Sequence, residues 1–224
     1  MPRAEAHKAS MRLKAMVQGD GAVRPETPLE ALFDRVRKAF LAVDHAQGMH
    51  ALTTWVAWFD NAHARDMGSF STFDEFVAYR RENFGWPAIC GMLIYAMDID
   101  ISAEEIASVQ PLLRPAALSM MYTNDYWSVA KELRAVSKGV AYSMDCTSAL
   151  IKMEGLSEEQ ALGKVKSLAM QYEEEAMGLA NELLGPGSKL PENVQRYVQG
   201  VYWVIGGTGL WSATCPRYHG GVGT

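Results

Sequence analysis

Apolar residues recur every three or four positions along most of the chain, and this helical periodicity restricts the fold more than any other feature. In the segment 29–41, for example, Leu29, Leu32, Phe33 and Val36 share one helical face. Similar patterns lie at about 45–65, 71–79, 88–97, 110–137, 139–152 and 157–184, and from Glu192 until a glycine-bearing segment after Trp203. No alternating strand pattern of useful length and no internal repeat interrupts them. The sequence therefore predicts an all-α fold in one domain that spans residues 1–224.

Turn-forming residues separate the helical patterns. The segment 83–87 ends in Pro87, and a helix should break here because the residue before proline is disfavoured in the α region. The segment 185–191 contains two glycines and two prolines and is predicted to be a loop. Residues 1–25 are predicted to be irregular or the remnant of an earlier helix.

Charge and cysteine content exclude several classes of protein. The net charge is −5 and the charged residues are interspersed, whereas a nucleic-acid-binding protein needs a basic stripe. Cys90, Cys146 and Cys215 form no CxxC or Cys/His spacing, which fits a reducing compartment. No apolar stretch reaches the length of a membrane span, and the N-terminus has no apolar signal-peptide core. The sequence predicts a soluble, cytoplasmic protein without a nucleic-acid partner or a membrane span.

Three polar residues in the segment 124–132 form a row along one predicted helix. Asn124, Ser128 and Glu132 are spaced i, i+4, i+8, so their side chains lie on one helical face. An amide oxygen, a hydroxyl and a carboxylate are hard ligands that suit Mg²⁺, which also binds water and phosphate oxygens. Lys131 lies beside the row and offers a positive charge to phosphate groups.

A solvated helix face is the usual explanation for polar residues at this spacing. The surrounding positions here, however, are strongly apolar, which leaves the helix little solvated surface. They are Leu118, Met120, Met121, Tyr122, Tyr126, Trp127 and Val129. Polar groups on a helix packed this heavily tend to line a functional cavity, so the row is predicted to bind a metal ion.

The nonapeptide NDYWSVAKE at 124–132 resembles a metal-binding motif of microbial class I terpene synthases, (N/D)Dxx(S/T)xxxE, with the lysine that often precedes its glutamate. Roughly ninety residues downstream, Arg217 and Tyr218 end a Trp-rich segment that resembles the Arg-Tyr pair of the same family. The resemblance covers nearly the whole chain from about residue 30. It implies that Asn124, Ser128 and Glu132 bind Mg²⁺, of which the intact family site holds three.

The family also carries a diphosphate-sensing arginine upstream of this motif. Arg80 and Arg81 both lie near the expected distance, and either fits the position. Arg81 is preferred because it precedes Gly85, which resembles the family's helix-break position, by four residues. By resemblance, Arg81, Lys131, Arg217 and Tyr218 surround the diphosphate, and guanidinium groups match its oxygens.

The same resemblance implies a class I terpenoid synthase helical bundle with Mg²⁺ as cofactor. The implied activity is that of a carbon–oxygen lyase of isoprenoid biosynthesis. It ionises and cyclises a linear isoprenyl diphosphate (farnesyl or geranylgeranyl) and releases diphosphate. Gly85, Trp127 and Trp203 are then expected among the substrate-binding residues, the aromatic rings by stabilising carbocations. For each tryptophan alone, core packing is the commoner role.

One element of the family is missing from the sequence. The Asp-rich first metal motif should precede the sensor arginine by so many residues that it falls before Met1, which implies an N-terminally truncated bundle. The sequence alone therefore leaves the activity of this chain open. One alternative is a non-catalytic helical remnant that retains diphosphate or Mg²⁺ binding. A chain-elongating prenyltransferase would carry two Asp-rich motifs, and a helical scaffold would bind neither ligand. The sequence favours no single product and no single substrate length, and it allows a homodimer.

Overall fold

The computed structural model describes residues 3–19, 22–61, 65–137 and 144–219; within them the side chains of 3, 4, 60, 61 and 133–137 are not described. Regular structure in these ranges is entirely helical. In chain order the α-helices are α1 (Arg3–Gln18), α2 (Pro28–Val43), α3 (His45–Asn61), α4 (Phe73–Phe84), α5 (Trp86–Ala96), α6 (Ala103–Ser108), α7 (Gln110–Ser137), α8 (Cys146–Glu154), α9 (Glu158–Leu183), α10 (Glu192–Thr214) and α11 (Pro216–His219). The all-α prediction is confirmed. None of these helices is both long and apolar enough to cross a membrane.

Backbone contacts divide the chain into two compact units. The first contains residues 1–63 and 85–100, and the second contains 64–84 and 101–224. Helices α1, α2, α3 and α5 thus belong to the first unit, and α4 and α6–α11 to the second. The single domain expected from the sequence stays a prediction.

The first unit is built around α3, which packs against α1, α2 and α5. Its core includes Met16 and Val17 of α1, Phe33 of α2, and Leu52 and Val56 of α3. Burial of one apolar face stabilises a helix of this length more than its intrinsic propensity does. Residues 3–18, for which the sequence left irregular structure or a helix remnant open, therefore form a regular helix.

Arg12 of α1 ties that helix to the start of α2. Its Nε and Nη2 donate to the two carboxylate oxygens of Glu30 at 2.7 and 2.9 Å, and Nη2 also donates to the backbone oxygen of Arg24 at 3.0 Å. The backbone N–H of Glu26 donates to Glu30 at 2.7 Å. The side-chain hydrogen bonds from Arg12, followed by the backbone bond from Glu26, lower the pKa of Glu30 to about 2.

This depressed pKa predicts that acid weakens the first unit. The Glu30 carboxylate stabilises the fold above its unfolded pKa of about 4.3, and the stabilisation is lost as the pH falls towards 2. We expect the free energy of unfolding to decrease more between about pH 5 and 2 in the wild type than in Glu30→Gln. Urea unfolding at a series of pH values measures this, with Glu174→Gln on the exposed surface of α9 as the control. Equal pH slopes in the wild type and Glu30→Gln would contradict the prediction.

Helix α7 is the central element of the second unit. It packs against α4, α8, α9, α10 and α11, and it continues through an internal proline, Pro115. Its buried residues Leu118 and Met121 share a core with Phe76, Leu150 and Val165 from the surrounding helices. Segment 124–132 therefore lies on a helix whose neighbours supply side chains from several directions.

The helix break predicted at 83–87 occurs at Gly85. Helix α4 ends at Phe84 and α5 begins at Trp86, while Gly85 has a φ of 87°, in the left-handed region that glycine tolerates best. Pro87 lies in the first turn of α5, where proline is well accommodated. A Cβ atom on residue 85 would also come within 3.1 Å of the Trp58 ring. The break thus follows from the glycine more than from the residue before proline.

Two helix boundaries differ from the sequence interpretation. The helix expected over 139–152 begins at Cys146, because Asp145 has extended backbone angles and caps it by accepting the Ser148 N–H at 2.8 Å. Residues 139–143 of that pattern lie outside the described ranges. At the other end of the unit, α10 continues past the glycines to Thr214. Packing of α10 against α7 and α9 compensates for the low helix propensity of glycine.

Candidate functional site

The row predicted from the sequence lies on the uninterrupted helix α7. Ser128 is buried, and Asn124 and Glu132 are half-buried, so the row lies at the edge between core and solvent. Four-residue steps on a continuous helix keep the three side chains on one side. Beside them, Lys131 Nζ lies 2.6 Å from Oε1 of Glu132.

The C-terminal turn brings Tyr218 to this row. Asn124 Nδ2 donates a hydrogen bond to the Tyr218 hydroxyl at 2.6 Å, and Lys131 Nζ lies 5.9 Å from the centre of the Tyr218 ring. Tyr218 is buried, and this burial raises the pKa of its hydroxyl, which therefore stays protonated at neutral pH. A residue far away in the sequence thus contacts two members of the predicted site.

Aromatic contacts hold this C-terminal turn in place. The Tyr218 ring packs edge-on against Trp211, with ring centres 5.3 Å apart, and His219 packs against Trp127 at the same separation. Two other predicted site residues, Arg217 and Trp203, are exposed. Tyr218 lies in this turn and Trp127 of α7 packs against it, whereas Arg217 and Trp203 face solvent.

Arg80, and not Arg81, is the arginine that contacts the row. Arg80 Nη2 donates to Asn124 Oδ1 at 3.3 Å, and Nη1 donates to Asn83 Oδ1 at 2.8 Å. Arg81 is more exposed and pairs with Glu82 at 3.1 Å. The physical reason is the turn of α4, since consecutive helical residues point in directions about 100° apart and only one of the two can face α7.

A buried ion pair anchors Arg80. Its Nη2 and Nε donate to the two oxygens of Asp125 at 2.6 and 3.3 Å, and the backbone N–H of Cys146 donates to the same carboxylate at 2.9 Å. Burial lowers the pKa of Arg80, but the Asp125 carboxylate outweighs it and the net shift is upward. Burial and the nearby Asp125 raise the pKa of Asp145 to about 6. Asp125 thus joins α4, α7 and the start of α8.

A family model described as terpene synthase family 2, C-terminal metal binding, matches residues 2–175, which include all of α7. The chain belongs to the terpene synthase family. A sesterterpene synthase of Colletotrichum orbiculare is 30% identical over 181 residues, which cover 80% of this chain and 25% of that protein. The sesterfisherol synthase of Neosartorya fischeri is 22% identical over 193 residues, which cover 85% and 25%. The chain spans about a quarter of the length of these curated relatives.

Solved terpene synthases share the fold of this chain. Aristolochene synthase of Penicillium roqueforti superposes with a TM-score of 0.73 and 18% identity over 96% of this chain and 71% of that chain. A T181N variant of cucumene synthase gives a TM-score of 0.72 over 96% and 73%. The class I terpenoid synthase fold and the family resemblance carried by segment 124–132 are therefore confirmed.

The donor set of this terpene-synthase-family chain fits a metal ion that shares its ligands with phosphate. Asn124, Ser128 and Glu132 provide three oxygen donors but only one negative charge, so the remaining ligands must come from water or an anionic substrate. Within the described ranges, no group of three or more Asp, Glu, His or Cys side chains is arranged to hold a metal. A metal ion held by the row would therefore share its coordination with water or an anionic ligand.

Sequence reasoning missed the structural role of Asp125. Asp125 is the second residue of the motif, yet it lies one position off the row and so received no role. Its side chain is fully buried. An acidic residue among apolar neighbours was the available signal, because a buried carboxylate requires a partner, but the sequence does not show that this partner is Arg80.

Proposed function

We propose that this chain carries one side of the active site of a Mg²⁺-dependent terpene cyclase, which ionises a linear isoprenyl diphosphate and cyclises the resulting carbocation. The observation that carries the proposal is the set of contacts around Asn124, whose amide bonds to Arg80 and to Tyr218. Half-buried oxygen donors beside cationic groups suit a diphosphate and its metal ions better than they suit a neutral ligand.

The proposed roles follow from the chemistry of each side chain. Asn124, Ser128 and Glu132 would hold Mg²⁺, which when bound would supply positive charge where negative charge develops on the departing diphosphate. Lys131 and the exposed Arg217 attract and orient the diphosphate oxygens. The Tyr218 hydroxyl offers a further hydrogen bond, and its raised pKa keeps the proton on it.

The family's diphosphate-sensing role stays a prediction, and we propose Arg80 for it as the arginine that lies beside the row. Arg80 contacts Asn124, whereas Arg81 pairs with Glu82 near the surface. The role of Gly85 as the helix-break position stays a prediction. It is supported by the left-handed backbone of Gly85, which a larger residue adopts only with strain.

Aromatic side chains are proposed to stabilise the carbocation. The face of Trp127 or Trp203 attracts positive charge, by about 2 kcal/mol or more where the ring is desolvated. Trp203 is 59% exposed, so its contribution depends on what covers α10 during the reaction.

Substrate length follows from the volume enclosed around these rings. Two relatives are named as synthases of sesterterpene-type products, so long isoprenyl diphosphates belong in the test beside farnesyl and geranylgeranyl diphosphate.

Metal uptake that depends on diphosphate tests this function. We expect the full chain to retain Mn²⁺ in equilibrium dialysis when inorganic diphosphate is present, beyond the Mn²⁺ that diphosphate alone complexes in a protein-free sample. Much less uptake is expected with sulfate, because sulfate bridges metals poorly and carries less charge. Parallel incubations with Mg²⁺ and the isoprenyl diphosphate series measure hydrocarbon products. Mn²⁺ uptake without product would favour the non-catalytic remnant, and no uptake with diphosphate would contradict the proposed site.

A further inference from the structure

We propose that Tyr218 is a positioning residue for the metal-binding row, because its hydroxyl acts together with Arg80 to fix which end of the Asn124 amide is presented to the metal. The inference rests on the proposed metal-binding function of the row. It adds a role for Tyr218 that is separate from direct contact with diphosphate. Three features of the structure support it.

The first feature is the asymmetry of the Asn124 side chain. An amide carries one acceptor, Oδ1, and one donor group, Nδ2, and only the oxygen can bind a hard cation. Rotation by about 180° around the terminal torsion exchanges the two ends, and this torsion is soft. An asparagine ligand therefore needs partners that hold its oxygen on the correct side.

The second feature is that the partners of Asn124 are compatible with one orientation. The guanidinium of Arg80 can only donate, so the amide atom 3.3 Å from its Nη2 must be Oδ1. Nδ2 then faces the Tyr218 hydroxyl at 2.6 Å, where a tyrosine oxygen can accept. Because a carbonyl oxygen has two lone pairs, Oδ1 can accept from Arg80 and still bind a metal.

The third feature is the packing of Tyr218 itself. The residue is 5% exposed, and its ring packs against Trp211 while Lys131 lies over it. The backbone around it forms the short helix α11, which follows the end of α10 at Thr214 directly. The hydroxyl position is thus set by packing of the ring, and a phenylalanine would keep that packing while losing the acceptor.

An aspartate at position 124 provides the decisive control. It has nearly the shape of asparagine but presents two equivalent oxygens, so no rotation can turn a donor towards the metal. If Tyr218 acts by orienting the amide, Asn124→Asp should make metal binding independent of the Tyr218 hydroxyl. If Tyr218 acts by binding diphosphate, the hydroxyl should matter equally in both backgrounds.

The experiment measures Mn²⁺ affinity of the full chain in the presence of inorganic diphosphate, in the wild type and three variants. We expect Tyr218→Phe to weaken Mn²⁺ binding about 10- to 100-fold, the usual cost of removing a group that orients a metal ligand. Asn124→Asp with Tyr218→Phe should bind Mn²⁺ nearly as well as Asn124→Asp alone. Tyr202→Phe, on the half-buried surface of α10, should not change the affinity.

Each outcome bears on the inference. An unchanged affinity in Tyr218→Phe would overturn it, as would an equal loss in the wild-type and Asn124→Asp backgrounds. A Tyr218→Phe chain that does not fold, judged by circular dichroism and thermal unfolding, would also overturn it, because the ring packing alone should hold the turn. Failure of the wild type to bind Mn²⁺ would instead reject the proposed function, and the inference with it.

Discussion

Removal of the Asp125 carboxylate should lower the free energy of unfolding by about 3–5 kcal/mol, the usual cost of leaving one partner of a buried ion pair uncompensated. Asp125 is fully buried, and its partner Arg80 has a side chain that is 12% exposed, so water cannot replace the lost charge. The backbone N–H of Cys146 also loses its charged acceptor. The effect should therefore extend from α7 to the start of α8.

Asp125→Asn is the appropriate variant, since it preserves the size of the side chain and removes its charge. Urea unfolding followed by circular dichroism gives the free energy of unfolding, and Asp74→Asn on the exposed start of α4 is the matched control. A double variant, Arg80→Met with Asp125→Leu, should be less destabilised than Asp125→Asn, because it leaves no buried charge. A loss below about 1 kcal/mol in Asp125→Asn would mean that the pair is compensated by water.

Local patterns in the sequence predicted most of the helices and the row on α7. Helical periodicity depends on neighbouring residues alone, so the pattern over 157–184 predicted α9, which begins directly after its serine cap at position 157. The same holds for the four-residue spacing of the row. The predicted start of α8 was less accurate, because its cap, Asp145, is one polar residue among several nearby.

The contacts that complete the site could not be predicted in this way. The choice between Arg80 and Arg81 depends on which side of α4 faces α7, and this is decided by packing of the whole unit. The bond between Asn124 and Tyr218 joins residues separated by 94 positions in the sequence. Family resemblance supplied both residues but not the hydrogen bond between them, which is visible only in three dimensions.

Replacement of Glu132 by glutamine should have the largest effect on metal binding. Glu132 is the one carboxylate among the three oxygen donors of the row, and Mg²⁺ and Mn²⁺ favour anionic oxygens. Loss of a group that merely orients a ligand weakens a metal site by about 10- to 100-fold. We therefore expect Glu132→Gln to weaken diphosphate-dependent Mn²⁺ binding by more than about 100-fold.

The ion pair with Lys131 does not prevent Glu132 from binding a metal. Lys131 occupies Oε1 at 2.6 Å, whereas an ionised carboxylate has about four acceptor positions on its two oxygens. Glu82→Gln is the matched control, because it removes a carboxylate that also pairs with a neighbouring cation, Arg81, but lies outside the row. The measurement is titration of Mn²⁺ against the full chain with inorganic diphosphate. Equal affinities in Glu132→Gln and Glu82→Gln would show that the carboxylate of the row does not bind the metal, and the charge for the site would then have to come from the diphosphate alone.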